Sequence, residues 1–490
     1  MCSAFKVLFV AAEASPLVKV GGLGDVAGSL PKALRRAGHD VRLAIPHYRL
    51  ISLEGYQASH LGGFTIPFMG GDVGIGVTEV LLGDGTPVYL LGNDRYFDRG
   101  AVYGEPDDVE RFLLFSRAAI ELPKRLDWCP DTFHCHDWHT GIVPGLLKVA
   151  CRDDDFYSSC ASVFTIHNIA YQGWFDDSFA HWAGIHEYLP PIDDPLRNRA
   201  YSMTGLGIYH GDIVSTVSET YAREILTPEY GMGLEGLLQK RRDRLFGILN
   251  GLDYEEVDPA TDKALAANFD LGNLNERAKN KSALQERARL PISAETPLLG
   301  LAARLVEQKG IDILVPALDT LFQEAEAQFV LQGTGEFRYE EALRNLEARY
   351  PDKARIFLTL DFSLARLIFA GCDIYLSPSR FEPCGLSHLI ALRYGAIPVV
   401  RHTGGLAETI PDYSPDAGSG LGFVFESYTT DDLSLALNRA LETYHRKKEW
   451  YMLMGRAMKV DFSWQVHLSK YEALYKVGKH KHLTQTKNTI

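Results

Sequence analysis

Ser377-Pro378-Ser379-Arg380-Phe381-Glu382-Pro383-Cys384-Gly385-Leu386 runs on into Ser387-His388-Leu389-Ile390-Ala391-Leu392-Arg393-Tyr394-Gly395. Before it, Ala370-Gly371-Cys372-Asp373-Ile374-Tyr375-Leu376 is a short apolar run that reads as a buried strand. After it, Leu386, Leu389, Ile390 and Tyr394 recur at helical spacing. Pro383 fits near a helix start, where a missing N–H costs nothing. The stretch is therefore a loop that leaves a strand and enters a helix. It carries Glu382, and Gly385 lets backbone come close. Free N–H groups at a helix start attract anions, and a fixed carboxylate beside them can accept hydrogen bonds from sugar hydroxyls. That pairing suits a sugar joined to a phosphate; the plainer alternative is an ordinary surface loop.

Outward from this stretch, apolar runs at Leu298–Ala302, Gln328–Gln332, Ala354–Leu360, Ile374–Leu376 and Ile397–Val400 alternate with helical patterns. That alternation predicts an α/β half with a parallel sheet. The first half repeats it. Lys6–Ala12 reads as a strand buried on both faces. Lys19-Val20-Gly21-Gly22-Leu23-Gly24-Asp25 is a Gly-rich loop before a helix over Val26–Ala37, with Gly38 as its C-cap. Its glycines fall at 21, 22 and 24, so the dinucleotide fingerprint is not met. Gly there lets backbone approach a ligand, and Lys19 supplies a charge for phosphate. Val41–Pro46 is the next strand, and Leu61–Leu91 reads as a hairpin region.

His134, Cys135, His136 and His139 invite a metal reading. On a strand His134 and His136 share one face while Cys135 points away. No second Cys/His pair lies at zinc spacing, so no metal is expected. The better reading is a strand whose C-terminal end presents Asp137, with a helix over Thr140–Ala150 behind it; open α/β sheets bind ligands at such ends. Ala161–Asn168 repeats the pattern and ends at His167. Ser218 caps a helix that starts at Glu219, and Gly247–Asp253 closes the first domain.

A chain of 490 residues is too long for one ordinary core, so two or three domains are expected. Hydrophobic content of 46% with 23% charged residues is that of a soluble globular protein. A net charge of −13 argues against nucleic acid or an anionic membrane as partner, though not against a neutral polymer. Seven Cys without a C-x-x-C pair predict reduced thiols in a cytosol-like compartment. No apolar run reaches the length of a membrane span. Lys6, Val7–Ala12 and Ala12-Glu13-Ala14 imitate a signal peptide, but the apolar part is too short and reads as the first strand.

Seven pieces taken together carry a resemblance. They are the 377–386 stretch, Lys19–Val26, His136-Asp137-Trp138-His139, Thr165–Gly173, Asn250-Gly251-Leu252-Asp253, Arg304–Gly310 and Thr403-Gly404-Gly405-Leu406. In the order and rough spacing in which these pieces follow along it, the chain, from near its first residue to about Trp464, resembles the bacterial glycogen synthases and plant starch synthases. The resemblance implies an α/β fold of the GT-B type, with two Rossmann-like lobes facing across a deep cleft. Residues 1–253 would form the acceptor-side lobe, with a helix at 465–478 crossing back to it. Residues 254–464 would form the nucleotide-sugar lobe, and 479–490 a frayed tail. The implied reaction transfers glucose from ADP-glucose to the non-reducing end of an α-1,4-glucan, glycogen or starch, with retention of configuration. No cofactor, nucleic acid or membrane is implied, and the location would be cytoplasmic.

Such a transfer builds positive charge on the anomeric carbon and negative charge on the leaving diphosphate, so cations are needed at the diphosphate. Arg304 and Lys309 can both reach one anion, Arg with its bidentate fork. Lys19 would come from the other lobe, carried in by closure that also expels water. By resemblance Glu382 holds sugar hydroxyls, His167 sits over the anomeric carbon, and Asp137 and Asn250 orient the sugar. Cys384, Gly385 and Leu386 add backbone N–H groups. Gly22, Asp25, Thr403 and Gly404 complete the substrate-binding candidates.

The sequence also departs from its relatives. Ile390 stands where the wider group has a second Glu, as in the glycogen and starch synthase branch. Leu360 stands where the branch has an aromatic facing the base, and Phe362, on the same face if the segment is extended, could replace it. Arg366 stands where the branch usually has His. The alternatives are another GT-B enzyme, either a sugar-nucleotide epimerase or a UDP-glucose-dependent transferase, and an inactive glucan-binding homologue.

Overall fold

β1 (Lys6–Val10) is apolar and buried except at Lys6, because a parallel strand covered on both faces has no solvent side. In the computed structural model, which describes residues 4–488, this strand lies inside the first of two α/β units. That unit comprises the chain up to Gly251 together with the segment from Trp464 on; the other spans Leu252–Ser463.

The first unit adds β2 (Asp40–Pro46), β3 (Gln57–Phe68), β4 (Gly71–Leu81), β5 (Pro87–Gly92), β6 (Thr132–His136), β7 (Ala161–Ile166), β8 (Ile213–Thr216) and β9 (Leu245–Gly247). Their order is β3-β4-β5-β2-β1-β6-β7-β8-β9. β3, β4 and β5 form an antiparallel meander, and from β5 across to β9 the neighbours pair in parallel. The chain winds from β1 to β2 and β5 on one side and to β6 and beyond on the other. The direction therefore reverses between β1 and β6. Ligands of open α/β sheets bind outside the strand ends at such a reversal.

The second unit repeats the device with β10 (Leu298–Ala302), β11 (Gln328–Gln332), β12 (Ala354–Phe357), β13 (Ile374–Ser377), β14 (Ile397–Arg401) and β15 (Phe423–Phe425). The order is β12-β11-β10-β13-β14-β15, all parallel. Here the reversal falls between β10 and β13. Each unit has its own apolar core around its sheet.

Several expectations need correction. The strand predicted over Ala354–Leu360 stops at Phe357, and the helix predicted from Thr140 is a 3-10 turn at Trp138–Thr140 followed by Val143–Lys148. Phe362 is not in an extended segment. It opens the helix Phe362–Gly371, because Asp361 caps that helix by accepting from the Ser363 and Leu364 N–H groups. The tail predicted to fray from Lys479 is helical to Asn488, in one helix that starts at Leu468. The reason is electrostatic: Lys479 pairs with Asp131, Lys481 Nζ lies 2.6 Å from Asp243 Oδ2, and His482 Nδ1 lies 3.3 Å from the buried Asp212. Of that predicted tail, residues 489 and 490 lie outside the described residues. The described cysteines are all free thiols.

Candidate functional site

In the second unit the loop after β10 carries Arg304 and Lys309, and the loop after β13 carries Ser379, Glu382, Cys384 and Gly385. These are the two strands that flank the reversal. Lys309 Nζ lies 2.6 Å from Glu382 Oε2, and Ser379 Oγ donates to the same oxygen at 3.0 Å. Glu382 is buried, and its backbone carbonyl accepts from Gly405 N–H at 3.0 Å. That bond ties the loop after β13 to the first turn of the helix Gly404–Thr409, which Thr403 precedes after β14. Cys384 and Thr403 are buried there as well, while Arg304 is exposed.

Two glycines make this arrangement possible. Gly310 has φ +71°, and a Cβ there would lie 2.0 Å from the Pro378 carbonyl oxygen. The two loops thus touch backbone to backbone. Gly385 has φ +83°, and a Cβ there would meet the His388 ring at 2.5 Å and Glu382 Cγ at 3.0 Å. Gly385 precedes the helix Leu386–Arg393 and lets the chain turn sharply past Glu382. His388 is fully buried with Nε2 2.6 Å from Thr409 Oγ1, and burial holds its imidazole neutral, its pKa drawn down to about 3.

In the first unit the loop after β1 carries Glu13 and Lys19, the first turn of the helix Gly22–Arg36 that follows carries Gly22 and Asp25, and the turn after β6 carries Asp137. Lys19 Nζ lies 2.6 Å from Asp25 Oδ1, which sits in the first turn of the helix Gly22–Arg36. Gly22 is exposed. Asp137 adopts a left-handed φ of +56°, rare for a residue with a side chain. Its Oδ1 accepts from the His167 N–H at 2.7 Å, which fixes the strand end of β7 against that of β6. Burial pushes the Asp137 carboxyl up to about 7 although the His167 and Asn168 N–H groups work the other way.

β6 is unusual in burying imidazoles. His134 and His136 stack with centroids 4.2 Å apart, as the shared strand face requires. His134 is bonded to Tyr475 Oη at 3.0 Å and Thr165 Oγ1 at 2.7 Å. His136 Nδ1 lies 3.0 Å from His167 Nε2, so one ring donates to the other. Burial draws His134 and His167 down to about 3 and His136 well below its ordinary value, so all three rings are neutral at pH 7. Asn250, buried just past β9, keeps a buried Oδ1 without a hydrogen-bond partner. Among the described residues no three His, Cys, Asp or Glu side chains converge as a metal site would need.

The candidates thus fall into two groups, Lys19, Gly22, Asp25, Asp137, His167 and Asn250 in the first unit and the other eight in the second. A separate cavity of about 740 Å³, lined by Asp177, His181, Ile192 and Arg197 among others, contains none of them. Leu360 and Phe362 are both exposed, at 69% and 67%. Sequence reasoning missed Glu13, buried behind the Gly-rich loop with Oε1 3.2 Å from Gly21 N. The available signal was a lone carboxylate inside the apolar run Ala11-Ala12-Glu13-Ala14, just past the end of β1. Ser379 and His388 were quoted in the motif without a role.

A family described as the starch synthase catalytic domain matches residues 6–240, and glycosyl transferases group 1 matches residues 283–452. The chain is 45% identical over 477 residues to a glycogen synthase of Moorella thermoacetica, covering 96% of each chain. It is 43% identical over 480 residues to a glycogen synthase of Thermotoga maritima, covering 96% of this chain and 98% of that one. Among solved structures it matches the catalytic domain of starch synthase IV from Arabidopsis thaliana bound to ADP and acarbose. That match has a TM-score of 0.90 and 34% identity, over 98% of this chain and 100% of that one.

Proposed function

The chain belongs to the glycogen and starch synthase family of GT-B glycosyltransferases, and from that premise we propose that it transfers glucose from ADP-glucose to the non-reducing end of an α-1,4-glucan with retention of configuration. The observation that carries the reading is the Lys309–Glu382–Ser379 cluster at the sheet reversal of the second unit. A cation and an acceptor carboxylate held side by side suit a phosphorylated sugar. The adenine nucleotide as donor is supported by the relative whose structure holds ADP.

The second unit is the nucleotide-sugar side in this reading. Arg304 and Lys309 take the diphosphate and stabilise its charge as the bond to the sugar breaks. Glu382 holds sugar hydroxyls, and Cys384, Gly385, Leu386, Thr403 and Gly404 line the donor with backbone. The first unit is the acceptor side. Its Lys19, set by Asp25 and Gly22, adds a further cation for phosphate. Asp137 and Asn250 orient the sugar, and the unpartnered Asn250 Oδ1 is free to accept a sugar hydroxyl. His167 is neutral, so it contributes a hydrogen bond near the anomeric carbon without repelling developing positive charge. A cytoplasmic location belongs to the same proposal, since ADP-glucose and the glucan must both be within reach of the enzyme.

The test is ADP release from ADP-glucose with and without glycogen. Release that depends on glycogen, with label entering material that α-specific amylase digests, supports the reading. ADP release that does not need glycogen would instead identify a hydrolase, and conversion of the sugar nucleotide without ADP release an epimerase.

A further inference from the structure

Glu13 lies three residues past the end of β1, at the sheet reversal of the first unit, and is 1% exposed. Burying a carboxylate is costly unless donors surround it. Its donors are backbone groups of the Gly-rich loop. Oε2 accepts from Val20 N–H and, at 3.1 Å, from Gly21 N–H, and Oε1 lies 3.2 Å from the same Gly21 nitrogen. The chain therefore leaves β1, passes Glu13, and returns to it at Val20 and Gly21.

The return is tight. A Cβ on Gly24 would lie 3.3 Å from Glu13 Oε2 and 3.1 Å from Lys19 Cγ, so the loop packs against both side chains at once. Ser15 N–H donates to the Gly24 carbonyl at 2.9 Å and closes the base. The loop so wound is the one that carries Lys19 and opens the helix at Gly22. Pairing with a fixed-charge cation would have kept such a carboxylate ionised, but burial pushes it up to about 7, since backbone N–H groups only partly offset desolvation. A residue kept at that cost, when an apolar side chain would fill the space, is explained by what its two oxygens hold.

We propose that Glu13 is a positioning residue of the transfer reaction, its buried carboxylate gripping the Val20 and Gly21 N–H groups so that Lys19 and the Gly22 backbone are presented to the donor phosphate in one arrangement. The inference rests on the donor role given to Lys19 above. Glu13 touches no substrate; it acts through the loop.

The test compares wild type with Glu13→Gln and Glu13→Asp. Gln keeps the shape but turns one acceptor into an NH2 group facing N–H donors; Asp keeps both oxygens one methylene shorter. Glu13→Gln is expected to lower kcat/KM for ADP-glucose about tenfold or more, the size of a lost hydrogen bond to a charged group. The loss falls on the ADP-glucose kinetics and leaves KM for glycogen unchanged. Hydrogen exchange in the peptide covering residues 14–25 speeds up while Tm stays near wild type, and Glu13→Asp recovers part of both effects. Wild-type kinetics and exchange in Glu13→Gln would overturn the proposal. So would a loss in both variants that merely follows Tm, which is what a packing role produces. A wild type that transfers no glucose would sink the function proposed above, while exchange over 14–25 would still report whether Glu13 orders the loop.

Discussion

Lys309 Nζ and Glu382 Oε2 lie 2.6 Å apart, so the cation assigned to the diphosphate and the carboxylate assigned to the sugar hold each other in place before any substrate arrives. Both side chains are largely shielded, at 19% and 7% exposed, so the pair is not a solvent-screened surface contact.

Two roles joined this closely are not independent. Lys309→Ala is expected to lower kcat by about 10²–10³, the range for removing one donor from a developing charge. Glu382→Ala is expected to lower kcat further than Lys309→Ala does, to a residual but measurable rate, while circular dichroism stays unchanged. The double variant loses no more than the worse single one, because each single change already releases the partner. Steady-state rates of the four proteins check this; losses that multiply would show that the two residues act separately.

Arg304 is exposed and sits in the loop after β10. Arg304→Ala is expected to lower kcat by about 10²–10³ with no change in Tm. Near-normal turnover would remove it from the phosphate clamp.

Asp137 sets a pH dependence. Its folded carboxyl titrates near 7 against an ordinary value of 3.8. Between those values the native state binds the extra proton, so this group's contribution to stability is present below about pH 4 and is lost as pH rises towards 7. Asp137→Asn removes that dependence while its amide oxygen can still accept from His167 N–H. Tm of the variant relative to wild type should therefore climb from pH 5 to pH 8 and then level off. A difference that is flat or falls over that span would contradict the buried, raised carboxyl.

The two strand-loop-helix units at 19–25 and 377–386 are legible in the sequence because glycine and carboxylate spacing is local information. So is Gly38 just past a helix: it follows the helix Gly22–Arg36 at φ +96°. Long-range pairings are not legible in this way. Tail residues Lys479, Lys481 and His482 are polar and looked frayed, yet their partners Asp131, Asp243 and Asp212 are distant in sequence. Glu13 was passed over because its donors, Val20 and Gly21, are backbone groups with no side-chain signature. The extended segment that would put Phe362 on the face of Leu360 does not form, because Asp361 caps a helix there.

Leu360 offers no ring to the base, and Phe362 opens a helix two residues on, so its place at the base is a question for experiment. Since Phe362 is 67% exposed, Phe362→Ala should leave Tm unchanged, against the drop expected of a core aromatic. If its ring stacks on adenine, KM for ADP-glucose rises several-fold with a smaller change in kcat, since stacking is worth roughly 1–3 kcal/mol and is uniform through the reaction. An unchanged KM would remove Phe362 from the base site.

The most direct measurement is kcat/KM of the wild-type protein for ADP-glucose and for UDP-glucose, each with glycogen as acceptor. Glycogen-dependent transfer with ADP-glucose strongly preferred is the expected result. Preference for UDP-glucose, or turnover indifferent to glycogen, would contradict it.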